Sequence, residues 1–475
     1  MTHLEFFPST QVEAIRGRIG HPIVDADGHL IEFLPLVLDF AREIAGPEVA
    51  RSLLEYLRQS QNPNDPRFSG ARAFWGIPEE NTLDRMTATL PRLMQARMDE
   101  IGIDFALMFP SAGLPFLAAP DAELRQAGAR ALNVYYARIF GPYRARMAPA
   151  AIIPSFTPRE MLDELDHAVA GLGLKTIVTS AVVQRPTRPG GTGGTWIDTL
   201  AHESFHDYSP VWDRCAALGV VPTFHALGYG WGSRNSSKNY VYNHLGNFAA
   251  AQEAACRALL MGGVPRRLPG LRFSFLEGGV GWAAQLYADL HGHFEKRNRE
   301  AVSMFDPRRF KLDVYEALMD RFADPPLARF RGEFEAAIRS LIDQPPADPA
   351  SIDDFADSLI ERPEDIVAVF RDQFHFGCEA DDPMNALAFR GDMLPYGLRM
   401  NAMFASDIGH WDVPDIREVV PEAWELVEHG HIDETDFREF TFGNVVRMLT
   451  AMNPDFFAGT AVEGAARDYL GARAA

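Results

Sequence analysis

Val24-Asp25-Ala26-Asp27-Gly28-His29 and Met403-Phe404-Ala405-Ser406-Asp407-Ile408-Gly409-His410 share one pattern: an apolar start that gives way to carboxylates and an imidazole. The pattern recurs in Val220-Val221-Pro222-Thr223-Phe224-His225 and in Phe273-Ser274-Phe275-Leu276-Glu277. Short, near-continuous apolar runs suit strands buried on both faces of a parallel sheet. When parallel strands close into a barrel, the working side chains sit where the strands end, at the C-terminal face. Acids and histidines at the ends of the first, fifth, sixth and eighth strand candidates therefore point to one shared site. Their recurrence carries more weight than any single member, because chance would scatter them.

Outward from these runs, the strand candidates are Pro22–Val24, Phe105–Phe109, Ala150–Phe156, Thr176–Val183, Val220–His225, Leu271–Leu276 and Leu398–Ala405, with Arg371–Glu379 as the seventh in chain order. Amphipathic stretches lie between them, at Asp121–Ile139, Arg159–Ala170 and Phe248–Met261. Strand and helix in alternation predict an α/β fold, here a (β/α)8 TIM-type barrel as a single domain over residues 1–475. About Glu295 to Glu364 the chain is charged and helix-prone, with breaks at Pro325, Pro326, Pro345, Pro346 and Pro349. This reads as a helical insertion that supplies no metal ligand and packs over the barrel mouth or against a second subunit. Arg185–His206 holds the run Pro189-Gly190-Gly191-Thr192-Gly193-Gly194, which lacks the Lys-Ser/Thr ending of a phosphate loop and reads as a flexible loop.

The chain of 475 residues is 47% hydrophobic and 23% charged, enough apolar material for a large core. Its formal net charge of −20 repels phosphate backbones and anionic membranes, so nucleic acid and membrane are poor partners. Three cysteines, Cys215, Cys256 and Cys378, are too few for a disulfide framework or a cysteine zinc site, and are expected as buried free thiols. The segment before Gly20 has no basic start followed by an apolar run, and no stretch approaches the ~20 apolar residues of a membrane helix. A cytoplasmic location is the expectation.

If the first strand continues, Asp25, Asp27 and His29 point the same way. Two carboxylates and an imidazole on one buried face are costly unless a cation neutralises them. His225 alone would read more readily as a hydrogen-bonded core histidine than as a ligand. Glu277, beside Gly278 and Gly279, is costly to bury unpaired. His202, His206 and His244 are further histidines, of which His244 follows the fifth strand and could reach the site.

These residues carry a resemblance to the amidohydrolase superfamily, within it to the branch of aminocarboxymuconate semialdehyde, resorcylate and carboxyvanillate decarboxylases. It covers about His21 to Phe457, with the run Gly263–Phe273 as a further match. The resemblance implies a metal held by Asp27 and His29 from the first strand, His225 from the fifth and Asp407 from the eighth. It departs from the branch at Glu277, where the decarboxylases usually carry a histidine.

The implied chemistry is a metal-dependent hydrolase or carboxy-lyase acting on a small, carboxylate-bearing, largely apolar substrate. Glu277, Asp407 and His410 are the acid/base candidates; Asp27, His29, His225, His244, Glu277 and Asp407 are the ligand candidates. One or two ions of Zn, Mn or Fe fit mixed O/N ligands. The same six ligands would suit a non-haem diiron oxygenase of secondary metabolism, and the chain is similar in this respect to a barrel-fold diiron hydroxylase of terpenoid antibiotic biosynthesis. A barrel used only for assembly is disfavoured by the clustered ligand types. Phe74, Trp75, Phe224, Tyr229, Trp231, Tyr240, Tyr242, Trp282 and Trp411 suggest an apolar pocket or loop anchoring, and Arg234 could meet a substrate carboxylate. A homo-oligomer, a dimer, is expected.

Overall fold

A computed structural model describes residues 5–60, 80–187, 194–225, 234, 236, 238–333 and 352–474. Eight strands build the barrel: β1 (Val24–Leu30), β2 (Phe105–Pro110), β3 (Met147–Ile153), β4 (Thr176–Ser180), β5 (Thr223–His225), β6 (Phe273–Phe275), β7 (Phe374–Glu379) and β8 (Asn401–Ala405). Each pairs with the next in parallel, in sequence order. The last strand returns to the first: the Asp407 amide donates to the Asp27 carbonyl at 2.9 Å, and the His29 amide to the Ile408 carbonyl at 3.0 Å.

Sequence signals explain the helices that clothe the barrel. Asp121 caps Ala122–Tyr135 by accepting from the Leu124 amide, and Thr157 caps Pro158–Leu165, which opens on a proline. Both helices run on into a π-helical turn, at Tyr136–Phe140 and Asp166–Gly171. Large rings fill the barrel wall: Phe224, Phe275 and Phe376 stack across β5, β6 and β7, with centroids 5.5 and 5.9 Å apart. This places Phe224 in the core, not in a substrate pocket. Trp282 packs beside it against Phe275 and Phe376. All three cysteines are buried and free. Among the described residues no helix is long and apolar enough to cross a membrane.

One expectation needs correction. The strand drawn as Thr176–Val183 stops at Ser180, and Val183–Pro186 instead pairs antiparallel with Thr195–Asp198. These two strands form a hairpin on either side of the glycine-rich run, held by an ion pair between Arg185 and the fully buried Asp198. Residues 188–193 of the glycine-rich run lie outside the described residues. The segment expected as an insertion, about Glu295 to Glu364, falls between two barrel helices. Gly281–Arg297 is the helix that follows β6, and Pro363–Asp372 is the helix that leads into β7. Between them the described part is helical, with Leu312–Phe322 as its main helix; residues 334–351, with Pro345, Pro346 and Pro349, lie outside the described residues.

The closure of the barrel depends on Asp25. Its carboxylate accepts from the Ser406 amide at 2.9 Å, the Ser406 hydroxyl at 2.5 Å and the Asp27 amide at 3.1 Å, with no exposure to solvent. Gly28 makes room for it, since a Cβ there would sit 2.6 Å from Asp25 Oδ2. Asp25→Ala would leave buried donors without partners at ~1–3 kcal/mol each. We expect a stability loss of about 3 kcal/mol, read as a lower denaturation midpoint, with Asp25→Asn much milder. An unchanged midpoint in Asp25→Ala would remove the clasp.

Candidate metal centre

The first strand does not simply alternate. A β-bulge between Asp25 and Gly28 shifts the register, so Asp25 turns to the clasp with β8 while Asp27 and His29 reach the mouth. The expected common direction of all three is therefore wrong for Asp25. Asp27, His29 and His225 bring ligand atoms within 4.8 Å of one another, and so do His29, Glu277, Asp407 and His410. His29 Nε2 lies 3.5 Å from Asp27 Oδ1 and 3.1 Å from Asp407 Oδ1. His225 Nε2 lies 2.9 Å from Glu277 Oε2. His410 Nδ1 lies 2.8 Å from Asp407 Oδ1 and 3.4 Å from Glu277 Oε1.

The backbone is bent to achieve this. Glu277 and Asp407 have φ of +57° and +52°, a left-handed conformation that costs a non-glycine residue about 1–3 kcal/mol. Both acids follow the last residue of a short strand, and the turn swings them back into the mouth. Gln252 supports the arrangement by donating to the carbonyls of Phe224 and Leu276, each at 2.9 Å, which ties together the residues preceding His225 and Glu277. His29 is oriented through Nδ1, 3.3 Å from the Pro110 carbonyl, which leaves Nε2 as the ligand atom.

The electrostatics demand a counter-charge. Burial drives the Asp27 carboxyl well above its usual range, and Glu277 and Asp407 add repulsion. Burial holds His29 well below the imidazole range, with His410 and His225 adding to it, so its ring is neutral and could serve as a ligand. For His410 burial works the other way from its partners, and Asp407 and Glu277 prevail, raising it well above the usual value. Burial would raise Glu277, but His225 and His410 hold it well below the carboxylate range. Among the described residues, both oxygens of Asp27 and Nε2 of His29 have no hydrogen-bond partner although they are wholly buried. Orphaned buried acceptors of this kind are costly unless a cation takes them. The residues fit a divalent ion.

The other candidates lie elsewhere. His244 belongs to neither ligand group; its ring packs against Tyr240, Phe248 and Trp411, with centroids 5.2, 5.0 and 5.5 Å away. Its ring thus forms part of the aromatic wall of the mouth. His202 and His206 are also outside both groups, and His206 packs on Phe205 and Tyr208. Arg234 donates to the carbonyls of Leu245 and Gly246. Tyr242 is exposed, and Phe74, Trp75, Tyr229 and Trp231 lie outside the described residues. Three participants escaped the sequence reading. The Ser111 hydroxyl sits 3.4 Å from His29 Nδ1 and 3.1 Å from His410 Nε2. Glu379, at the end of β7, is raised to about 9 by burial and then by Asp407, and Asp412 is raised to about 8 by the same two causes. Glu379 obeys the strand-end rule, but the seventh strand was the least distinct run.

Since burial and the neighbouring acids raise Asp27 well above the usual carboxylate range, a proton competes there with an incoming ion. Calorimetric titration of Mn2+ into metal-free protein, in buffers of different ionisation enthalpy, should show net proton release and tighter binding as pH rises. His29→Ala should abolish most binding with unchanged circular dichroism. Binding without proton release would exclude Asp27 from the ligands, and full metal content in His29→Ala would exclude His29.

The Amidohydrolase family model matches residues 24–362. No curated protein matches the sequence. An amidohydrolase of Mycobacterium avium subsp. paratuberculosis superposes with TM-score 0.54 at 18% identity, covering 91% of this chain and 98% of that one. A 5-carboxyvanillate decarboxylase variant of Novosphingobium aromaticivorans, solved with bound manganese, superposes with TM-score 0.50 at 12% identity, covering 94% and 100%. A 2,6-dihydroxybenzoate decarboxylase gives 0.48 at 15%, covering 90% and 99%. At these identities the structures speak to the barrel alone. The family match spans most of the chain, both metal-type groups draw on its strand ends, and the chain belongs to the Amidohydrolase family.

Proposed function

We propose that the protein is a divalent-metal-dependent carboxy-lyase that removes CO2 from a small, largely apolar, carboxylate-bearing substrate. The observation that carries this is His410: an imidazole whose Nδ1 faces Asp407 at 2.8 Å and Glu277 at 3.4 Å, two acids that favour its protonated form, with 19% of its side chain exposed at the mouth. Decarboxylation needs an acid at that place, because the electron pair left on carbon when CO2 departs must take up a proton.

Asp27, His29, His225 and Asp407 would hold the ion, whose charge stabilises the substrate carboxylate and the developing carbanion. The chain's own residues do the rest. Trp411, Tyr240 and His244 form an aromatic wall beside the mouth. Asp407 and Glu277 face His410 Nδ1, so the opposite nitrogen, Nε2, beside Ser111, is the one placed to deliver the proton to carbon as the C–C bond breaks. Water then restores the imidazolium. The bound manganese of the carboxyvanillate decarboxylase supports this reading. Family membership also favours hydrolysis as a second reading, and release of CO2 separates the two. Neither the family match nor these neighbours support the oxygenase reading.

His410→Asn and Glu277→Gln should each lower the rate of CO2 release by ~10²–10⁴ with the metal retained. An unchanged rate in both would overturn the proposed acid. Loss of half the metal in Glu277→Gln would instead assign Glu277 to a second ion.

We also infer that the insertion serves a contact between two copies of the chain. Leu312–Phe322 has no buried residue, and Leu312, Leu318, Phe322 and Leu327 are 45–65% exposed. Apolar residues clustered in this way are rare on a free surface, and a stable dimer buries roughly 800 Å² per partner. Light scattering should give a dimer for the native chain and a monomer for Leu318→Glu combined with Phe322→Glu. A native monomer at micromolar concentration would overturn the inference.

A further inference from the structure

At the end of the barrel opposite the metal centre lies a cavity of about 910 Å³. Its place follows from the strands. Arg272 immediately precedes β6, His375 is the second residue of β7 and Asn401 opens β8, whereas Glu277, Glu379 and Asp407 end or follow the same strands. Five residues of extended chain from Arg272 to Glu277 separate the two ends by roughly 16 Å.

The cavity is electropositive in a chain of net charge −20. Five arginines line it, Arg272, Arg371, Arg399, Arg447 and Arg473, against two acids, Asp372 and Glu439. Some of this charge is structural: Arg371 pairs with Asp372 at 2.7 Å, Arg447 pairs with Glu439, and Arg399 pairs with Asp436 outside the lining. Arg272 is different. Among the described residues no carboxylate lies within ion-pair distance of it; its Nη1 donates to the carbonyls of Pro269 and Gly270, each at 3.1 Å. It is half-buried, and burial pushes its pKa down. Beside it His375 is held neutral, at about 3, by burial first and then by Arg272 and Arg447. Phe389 and Leu470 add apolar lining.

We propose that this cavity binds an organic oxyanion, a phosphate or carboxylate carried on an apolar body, at a site separate from the metal centre. The guanidinium fork matches such a group in shape and charge. The volume falls within the ~300–1,000 Å³ of small-molecule sites. A half-buried arginine lacking its own carboxylate is stabilised by an anion from solution. Nothing in the proposed chemistry uses these residues, so the site stands or falls independently of the carboxy-lyase reading.

Calorimetric titration of the metal-loaded protein at constant ionic strength tests it, with phenyl phosphate and benzoate as probes. At least one probe should bind with a single site here, and the stronger of the two identifies phosphate or carboxylate as the native group. Arg272→Gln should weaken binding at least about tenfold, while Mn2+ binding at the metal centre stays unchanged. Ala451→Glu, an exposed helical position on the rim, leaves the arginine contacts intact and sets a competing carboxylate into the cavity; it should weaken binding likewise. No binding of either probe at millimolar concentration overturns the proposal. So does binding that neither variant changes, since that would place the anion at the metal end.

Discussion

Three carboxylates meet at the mouth of this barrel with almost no solvent to screen them. Asp27, Glu277 and Asp407 are each at most 8% exposed, and the charges of Glu277 and Asp407 both act on Asp27. Like charges at this separation in a low dielectric are untenable without protons or a cation. Most local irregularities serve to keep them together. The bulge in β1 separates the clasp residue Asp25 from the site residue Asp27. The left-handed turns at Glu277 and Asp407 aim both acids inward. Gln252 fixes the ends of β5 and β6 against each other. Strain at several points is tolerated because a large packed barrel over-determines the backbone there.

Much of this was legible in the residues, and the exceptions have physical causes. The eight strands emerge because buried parallel strands are apolar along their length, and Phe105–Phe109 differs from the observed strand by only one residue. The strand boundaries at β5 and β6 were overdrawn: an apolar residue such as Val220 or Leu271 is buried before the ladder begins, and burial is all that hydropathy reports.

At the site, Asp27, His29, His225, Glu277 and Asp407 follow from one rule, an acid or histidine where an apolar strand ends. The rule fails in two ways. It reads Asp25 as a third inward group, because a bulge leaves no trace in a hydrophobic pattern. It is also silent on His244, which lies well past a strand end and whose ring joins an aromatic cluster beside the mouth. Ser111 is invisible to it, since a serine after a strand is too common to signify anything. Its role exists only because β1, β2 and the loop after β8 converge.

Glu277 is the residue at which this chain leaves the decarboxylase pattern, and the geometry gives it a reason. On the proposed function, His410 must stay protonated beside a dication, and the two positive charges repel. Asp407 alone is a poor remedy. Its Oδ1 is shared between His410 Nδ1 at 2.8 Å and His29 Nε2 at 3.1 Å, and an ion would draw on the same carboxylate. Glu277 supplies the missing negative charge from the far side, 3.4 Å from the same nitrogen, through the oxygen that does not face His225. A histidine in its place would add no charge when neutral and further repulsion when protonated. On that proposed function, a carboxylate just after β6 is what would allow an imidazolium at His410 to persist next to a bound ion.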